Sequence, residues 1–147
     1  MKFSDIERER WPELQPYLDT ALIPLSGLNG GETPWQAAEA LEKLRDALEP
    51  LETAYKGRTV TYPAIHYARN AGELEELADE LCRRLAESGF KHCIVVAGNP
   101  KLLGLTIHHA SLLLGPAGGE ELSRDYRARA KEAVESLWRG TRVAGDG

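Results

Sequence analysis

The chain has 147 residues, 23 acidic side chains against 18 basic ones, and a formal net charge of −5. It is too apolar, at 42% hydrophobic residues, for a disordered chain, and with two cysteines too poor in thiols for a disulfide scaffold. Its acidic balance, with a pI near 5.4, argues against nucleic acid or an anionic membrane surface as the main partner.

The first ten residues alternate in charge and lack the apolar stretch of a signal peptide. The longest apolar runs, residues 93–97 and 112–114, are far too short for a bilayer. A cytoplasmic protein without membrane insertion is the expectation, and lone Cys82 and Cys93 read as buried, reduced, small apolar residues.

Taken in chain order, Ser4-Asp5-Ile6-Glu7 has the form of a capping box and predicts a short helix to about Trp11. Pro12 and Pro16 mark an irregular connector. Residues 17–26 are nearly continuously apolar and predict a strand covered on both faces, with Pro24 fraying it or placing it at a sheet edge. Asp19 within that strand is expected to be exposed at its start or buried beside a partner. After the glycines of residues 27–31, Thr33-Pro34-Trp35-Gln36 opens a helix with Leu41, Leu44, Leu48, Leu51 and Tyr55 on one face. Pro50 predicts a kink or a break there, and Gly57 the stop. Residues 59–67 predict a second strand interrupted by Pro63.

Asn70-Ala71-Gly72-Glu73 is another capping box. The Leu74–Leu77–Ala78–Leu81–Cys82–Leu85–Ala86 spacing that follows is the strongest amphipathic pattern in the chain. Ser88-Gly89-Phe90 ends that helix in the manner of a Schellman motif. Residues 92–97 predict a third strand, 105–114 a fourth with helix as the alternative, and 120–139 a last helix stopped by Gly140. Towards the end of the chain Arg124, Arg127, Arg129, Lys131, Arg139 and Arg142, interleaved with Glu132 and Glu135, read as a solvated helix face. Residues 1–140 form the expected domain and 141–147 a loose tail.

Strands alternating with helices imply an α/β three-layer sandwich of about four mostly parallel strands flanked by helices, Rossmann/flavodoxin-like or creatininase-like. In such a sheet, ligands sit outside the carboxyl ends of the strands. That rule selects Ser26, Asn29, Gly30, Gly31 and Glu32 after the first strand, His66 with Tyr67, Arg69 and Asn70 around the end of the second, and Asn99 with Lys101 after the third. The glycine loop leads into a capped helix, yet it has neither a GxGxxG pattern nor a Walker lysine, and Glu32 would repel an anion.

His66, His92, His108 and His109 show no metal-ligand spacing, and His108 and His109 on a strand would point to opposite faces. Ser26 stands where a nucleophile could, without a nameable base. Any of the three tryptophans that is exposed would mark a partner surface. No catalytic constellation, cofactor or metal site is expected.

Two resemblances add to this. Tyr17-Leu-Asp-Thr-Ala-Leu-Ile-Pro-Leu25, Tyr55-Lys-Gly-Arg58 and Ser88-Gly-Phe-Lys-His92 resemble the YpiF-like family of small uncharacterised bacterial proteins, which implies a soluble cytoplasmic protein and carries over no catalytic residue. More distantly, Ile23-Pro-Leu-Ser-Gly27, Tyr62-Pro-Ala-Ile-His-Tyr67 and residues 89–99 resemble the creatininase amidohydrolases. That family's ligating motifs are replaced here by residues 26–32 and 96–100, which implies the fold without the metal chemistry.

The functional expectation is a non-catalytic accessory domain that binds a protein or a small molecule. The alternative is a small hydrolase- or transferase-like enzyme at the strand ends, which requires His66 and Glu32 to converge on one cleft. A four-stranded sheet also leaves edges through which a homodimer could form.

Overall fold

The computed structural model describes residues 1–117 and 124–146. A 3₁₀ turn (Phe3–Asp5) precedes α1 (Trp11–Leu14), β1 (Thr20–Leu28), α2 (Pro34–Ala54), β2 (Thr59–Thr61), β3 (Ile65–Tyr67), α3 (Ala71–Glu87), β4 (His92–Ala97), a second 3₁₀ turn (Pro100–Gly104), β5 (Leu112–Leu114) and α4 (Arg124–Asp146). The sheet has five strands in the order β2-β1-β4-β5, with β3 also paired to β1, and every pairing is parallel. The fold is the expected α/β sandwich. The fifth strand arises because Pro63 divides the predicted second strand into β2 and β3, both on the same edge of β1.

Two apolar layers cover the sheet. Leu74, Ala78, Cys82 and Leu85 of α3 pack on Ala21, Ile23, Leu25, Cys93 and Val95. On the opposite face, Leu44, Ala47, Leu48 and Leu51 of α2 and Tyr126, Ala130 and Val134 of α4 pack on Leu22, Ile94, Val96 and Leu114. The alternation along β1 and β4 between the two clusters is the period-two signature of strands buried on both sides.

Several local expectations hold for the stated reasons. Thr33 Oγ1 accepts from Gln36 N at 3.3 Å while Gln36 Oε1 accepts from Thr33 N at 2.9 Å, closing the box that starts α2. Asn70 Oδ1 accepts from Glu73 N at 2.8 Å, although the Glu73 carboxylate turns back to Arg69 N and Nε rather than to Asn70. At the end of α3, Phe90 N donates to Leu85 O at 3.1 Å and Gly89 N to Ala86 O at 3.2 Å, with Gly89 at φ +119°. Those two bonds are the Schellman pair.

Others are corrected. The first helical turn is capped from Lys2, whose N–H donates to Asp5 Oδ2 at 3.0 Å, so Ser4 does not open a helix running to Trp11. β1 begins at Thr20 rather than Tyr17, because Tyr17 N and Leu18 N both donate back to Leu14 O, at 2.9 and 3.1 Å, in the turn that ends α1. Asp19, just before the strand, pairs with Arg58 at 2.9 Å and accepts from Thr20 Oγ1 at 3.0 Å. Pro24 neither frays β1 nor sits at the sheet's edge. Thr20 N donates to Arg58 O and Leu22 O accepts from Tyr62 N, so Pro24, two residues on, turns its missing donor toward the gap between β2 and β3. α2 runs unbroken through Pro50, which is buried.

Residues 105–111 form no strand. They are strapped to α3 by Glu75 Oε2, which accepts from Thr106 N, and by Asp79 Oδ1, which accepts from His109 N at 2.7 Å. The argument placing His108 and His109 on opposite faces of a strand falls with it. α4 continues to Asp146, past the stop expected at Gly140. The predicted helix start at Glu120, Leu122 and two glycines of the preceding loop, Gly118 and Gly119, lie outside the described residues.

α2 lies close on the sheet at Gly98. A Cβ there would stand 2.8 Å from Leu44 N and 2.9 Å from Leu44 Cα, backbone atoms that cannot yield without moving the helix. Gly98→Ala is therefore expected to lower stability by about 1–3 kcal/mol, as overpacking does, in urea unfolding followed by circular dichroism. An unchanged midpoint would show that the helix and sheet are not in this contact.

Candidate functional site

The connection from β1 leads through α2 to β2 on one side of β1. The connection from β3 leads through α3 back across β1 to β4 on its other side. Crossovers that leave in opposite directions put α2 and α3 on opposite faces and open a crevice between the carboxyl ends of β1 and β4. A cleft of about 430 Å³ lies there, lined by Ser26, Gly27 and Leu28 of β1, Glu32, the first turns of α2, and Gly98, Asn99 and Pro100 after β4.

The expected site residues divide. Ser26, Glu32 and Asn99 line this cleft, whereas Asn29, Gly30, Gly31, His66 and Lys101 do not. Asn29 and Gly30 instead shape the loop. Glu32 Oε2 accepts from Asn29 N at 2.9 Å and Oε1 from Gly30 N at 2.9 Å, while Asn29 Oδ1 accepts from Gly31 N at 2.8 Å. The loop's free N–H groups, where an anionic ligand would seat, are thus taken by the chain's own carboxylate. The Asn29 N–H is the largest influence holding the Glu32 carboxyl below its ordinary value, with Gly30 assisting. Lys101 donates its backbone N–H to Asn99 Oδ1 at 3.0 Å, which orients Asn99 and leaves its amide nitrogen free to donate.

His66 and Glu32 do not form the pair that the enzymatic alternative required. His66 lies instead behind the cleft wall, its Nδ1 3.0 Å from Ser26 Oγ, and Ser26 Oγ also donates to the His66 carbonyl at 3.2 Å. Leu25↔Ile65 and Leu28↔Tyr67 are the two rungs shared by β1 and β3, with an irregularity between them, and this off-register pairing sets Ser26 beside His66. No spacing along the chain relates positions 26 and 66. Ser26 is buried, at 3% exposure.

Sequence reasoning missed Trp35, Gln36, Glu39 and Lys43, which form the α2 wall. The signal was present, since Glu32, Trp35, Gln36, Glu39 and Lys43 repeat at three- and four-residue steps along one helical face. Trp35 is 66% exposed, whereas Trp11 packs against Phe90 and Trp138 donates to Thr20 Oγ1 at 3.0 Å. Glu39 and Lys43 pair across one turn at 3.1 Å and are both exposed, so a ligand can part them at small cost.

The other histidines serve elsewhere. His109 Nδ1 pairs with Asp79 at 3.0 Å, and buried His92 leaves Nε2 without a partner. Burial lowers the pKa of His92. Among the described residues no group of three or more His, Cys, Asp or Glu side chains is placed to hold a metal ion.

No curated protein and no solved structure gives a match to the chain. Residues 9–102 match the family described as "Protein of unknown function (DUF2487)", a span of more than half the chain, and the chain belongs to that family. The match covers α1 through β4 and reaches Leu102 of the second 3₁₀ turn, and so includes every residue of the cleft.

A group whose folded-state pKa is depressed contributes stability above its unfolded pKa and loses it as pH falls through the folded value. For Glu32 that loss begins below about pH 4.5, its ordinary value. Glu32→Gln is expected to reduce the acid-induced drop in melting temperature between neutral pH and pH 3, and to leave the drop caused by other carboxylates. Parallel melts of the two proteins across that range check it, and identical acid limbs would show that the carboxylate does not hold the loop.

Proposed function

We propose that this member of the DUF2487 family is a small-molecule-binding domain whose ligand occupies the cleft at the carboxyl ends of β1 and β4. The observation that carries the proposal is the cleft's position. A space of about 430 Å³ lies where the crossovers flanking β1 diverge, the place at which open parallel sheets bind ligands. Its volume is in the range of small-molecule sites.

The walls specify the ligand's character. Glu32 fills the seat at the loop that a phosphate would take, and Glu39 adds a second carboxylate. A nucleotide or sugar phosphate is therefore disfavoured, and a neutral or amine-bearing molecule with hydroxyl or amide groups is favoured. Asn99, Gln36 and Ser26 offer hydrogen bonds to such a molecule, and the exposed Trp35 ring offers a stacking face.

The cytoplasmic setting belongs to the same proposal. Two free, buried cysteines support it, and among the described residues no helix is long and apolar enough to cross a membrane. So do the finer kinships, with YpiF-like proteins and more distantly with creatininase-like amidohydrolases. The parallel α/β architecture is compatible with both.

The test is a thermal-shift panel of polyols, amines, amino acids, nucleotides and sugar phosphates, followed by amide-shift mapping of any hit. A ligand at a hundred times its dissociation constant adds about 2.7 kcal/mol, a readily visible shift. The expected hit is not phosphorylated, perturbs residues 26–43 and 98–100, and binds at least tenfold more weakly to Trp35→Ala. A hit that perturbs only other residues would overturn the proposal.

A further inference from the structure

We infer that Ser26 is a nucleophile and His66 its general base, so that the cleft transfers or hydrolyses the acyl group of a small, non-phosphorylated ester or thioester. This inference rests on the binding reading above and adds a reaction to it. Its first support is the pairing itself. Ser26 lines a ligand-sized cleft, and its buried hydroxyl lies 3.0 Å from an imidazole nitrogen, within the reach required of a nucleophile and its base. In the tautomer with the proton on Nε2, His66 Nδ1 carries a lone pair, and rotation about the Ser26 Cβ–Oγ bond swings the hydroxyl proton from the His66 carbonyl, 3.2 Å away, to that nitrogen at 3.0 Å. His66 itself is only half-buried.

The second support is placement. Ser26 precedes Gly27, whose φ of +76° turns the chain at the end of β1. A Cβ on Gly27 would meet Leu102 Cδ1 at 3.0 Å, so the residue after the serine packs closely against the turn that follows β4. Asn99 brings its free amide nitrogen to the same cleft. Among the described residues no carboxylate is hydrogen-bonded to His66, so the pair is a dyad rather than a triad.

The chemistry balances with water as the only other reactant. Ser26 Oγ bonds to the substrate carbonyl carbon as its proton passes to His66 Nδ1. The tetrahedral intermediate then breaks its bond to the leaving alcohol or thiol, which takes that proton. Water, deprotonated by His66, attacks the acyl-serine, and Ser26 Oγ leaves with a proton from the imidazole, releasing the acid.

The test treats the wild-type chain with p-nitrophenyl acetate and locates the acetyl group by peptide mass. The expected result is acetylation of Ser26 with p-nitrophenolate released. Ser26→Ala removes the label at that position, and His66→Gln slows the release by about 10²-fold, the lower end of what a general base contributes. Because Ser26→Ala removes a buried hydrogen bond and can itself unfold the chain, a Ser26→Cys variant provides a second readout. Its iodoacetamide alkylation is expected to be at least tenfold faster with His66 than with His66→Gln in the same chain.

Absence of the Ser26 adduct, or equal rates with and without His66, overturns the inference. Acetanilide, an unreactive analogue, separates the two readings by amide shifts. Shifts at residues 26–43 and 98–100 without acylation overturn the reaction alone, and no acylation together with ligand-panel hits that perturb only other residues overturns both.

Discussion

β1 has a neighbour on each edge and a helical layer on each face, and most of the molecule follows from that position. It pairs with β2 and β3 on one side and β4 on the other, and Ala21, Leu22, Ile23 and Leu25 are fully buried. A strand so enclosed must be apolar on both faces and must have its backbone groups met at both edges. Residues 20–25 satisfy the first condition. Pro24 meets the second only because its missing donor falls where Pro63 has already interrupted the neighbouring strand. The two prolines, 39 positions apart, are one arrangement.

The same strand organises the polar groups at its two ends. At the amino end, Asp19 accepts from Thr20 Oγ1 and from Arg58, the Arg58 guanidinium lies 4.0 Å over the Trp138 ring, and Trp138 donates back to Thr20. The Asp19 carbonyl also accepts from Lys91 N and His92 N, so one residue ties the starts of β1, β2 and β4. A carboxylate this enclosed is stable only with such partners. At the carboxyl end, polar groups are arranged for access. Glu32 turns its charge onto the loop's N–H groups, and Ser26 and Asn99 line the cleft. One end of the sheet is closed by polar contacts, with only the buried His92 Nε2 among the described side chains left unmet, and the other holds the cleft.

The family match and the cleft agree in extent. Residues 9–102 contain every lining residue, while β5 and α4 lie beyond the matched span. Those two elements complete the sheet and the α2-side layer without entering the cleft. The strap of residues 105–111 shows how chain outside the sheet is held. Two carboxylates one turn apart on α3 accept backbone N–H groups that would otherwise pair in a strand. Asp79 also meets the His109 ring, and the His109 N–H is the first cause of its carboxyl lying below the ordinary range.

What the sequence determined by itself was what short-range chemistry controls. The helix starts at Thr33 and Asn70, the glycine stop at Gly89, the span of β4, the break at Pro63 and the α/β order all follow from caps, periodicity and missing donors within a few residues. The loops that carry the cleft were legible too, because the carboxyl ends of parallel strands are a consequence of element order. The tertiary structure decided which strands are neighbours, and hence that the cleft lies between β1 and β4 and that Ser26 meets His66 across 40 positions. It also decided that residues 105–111 are held by α3 rather than by a ladder, and that Glu32 serves the loop instead of His66. Each of these depends on a partner far away in the chain, and the periodicity of a segment carries no record of what it will lie against.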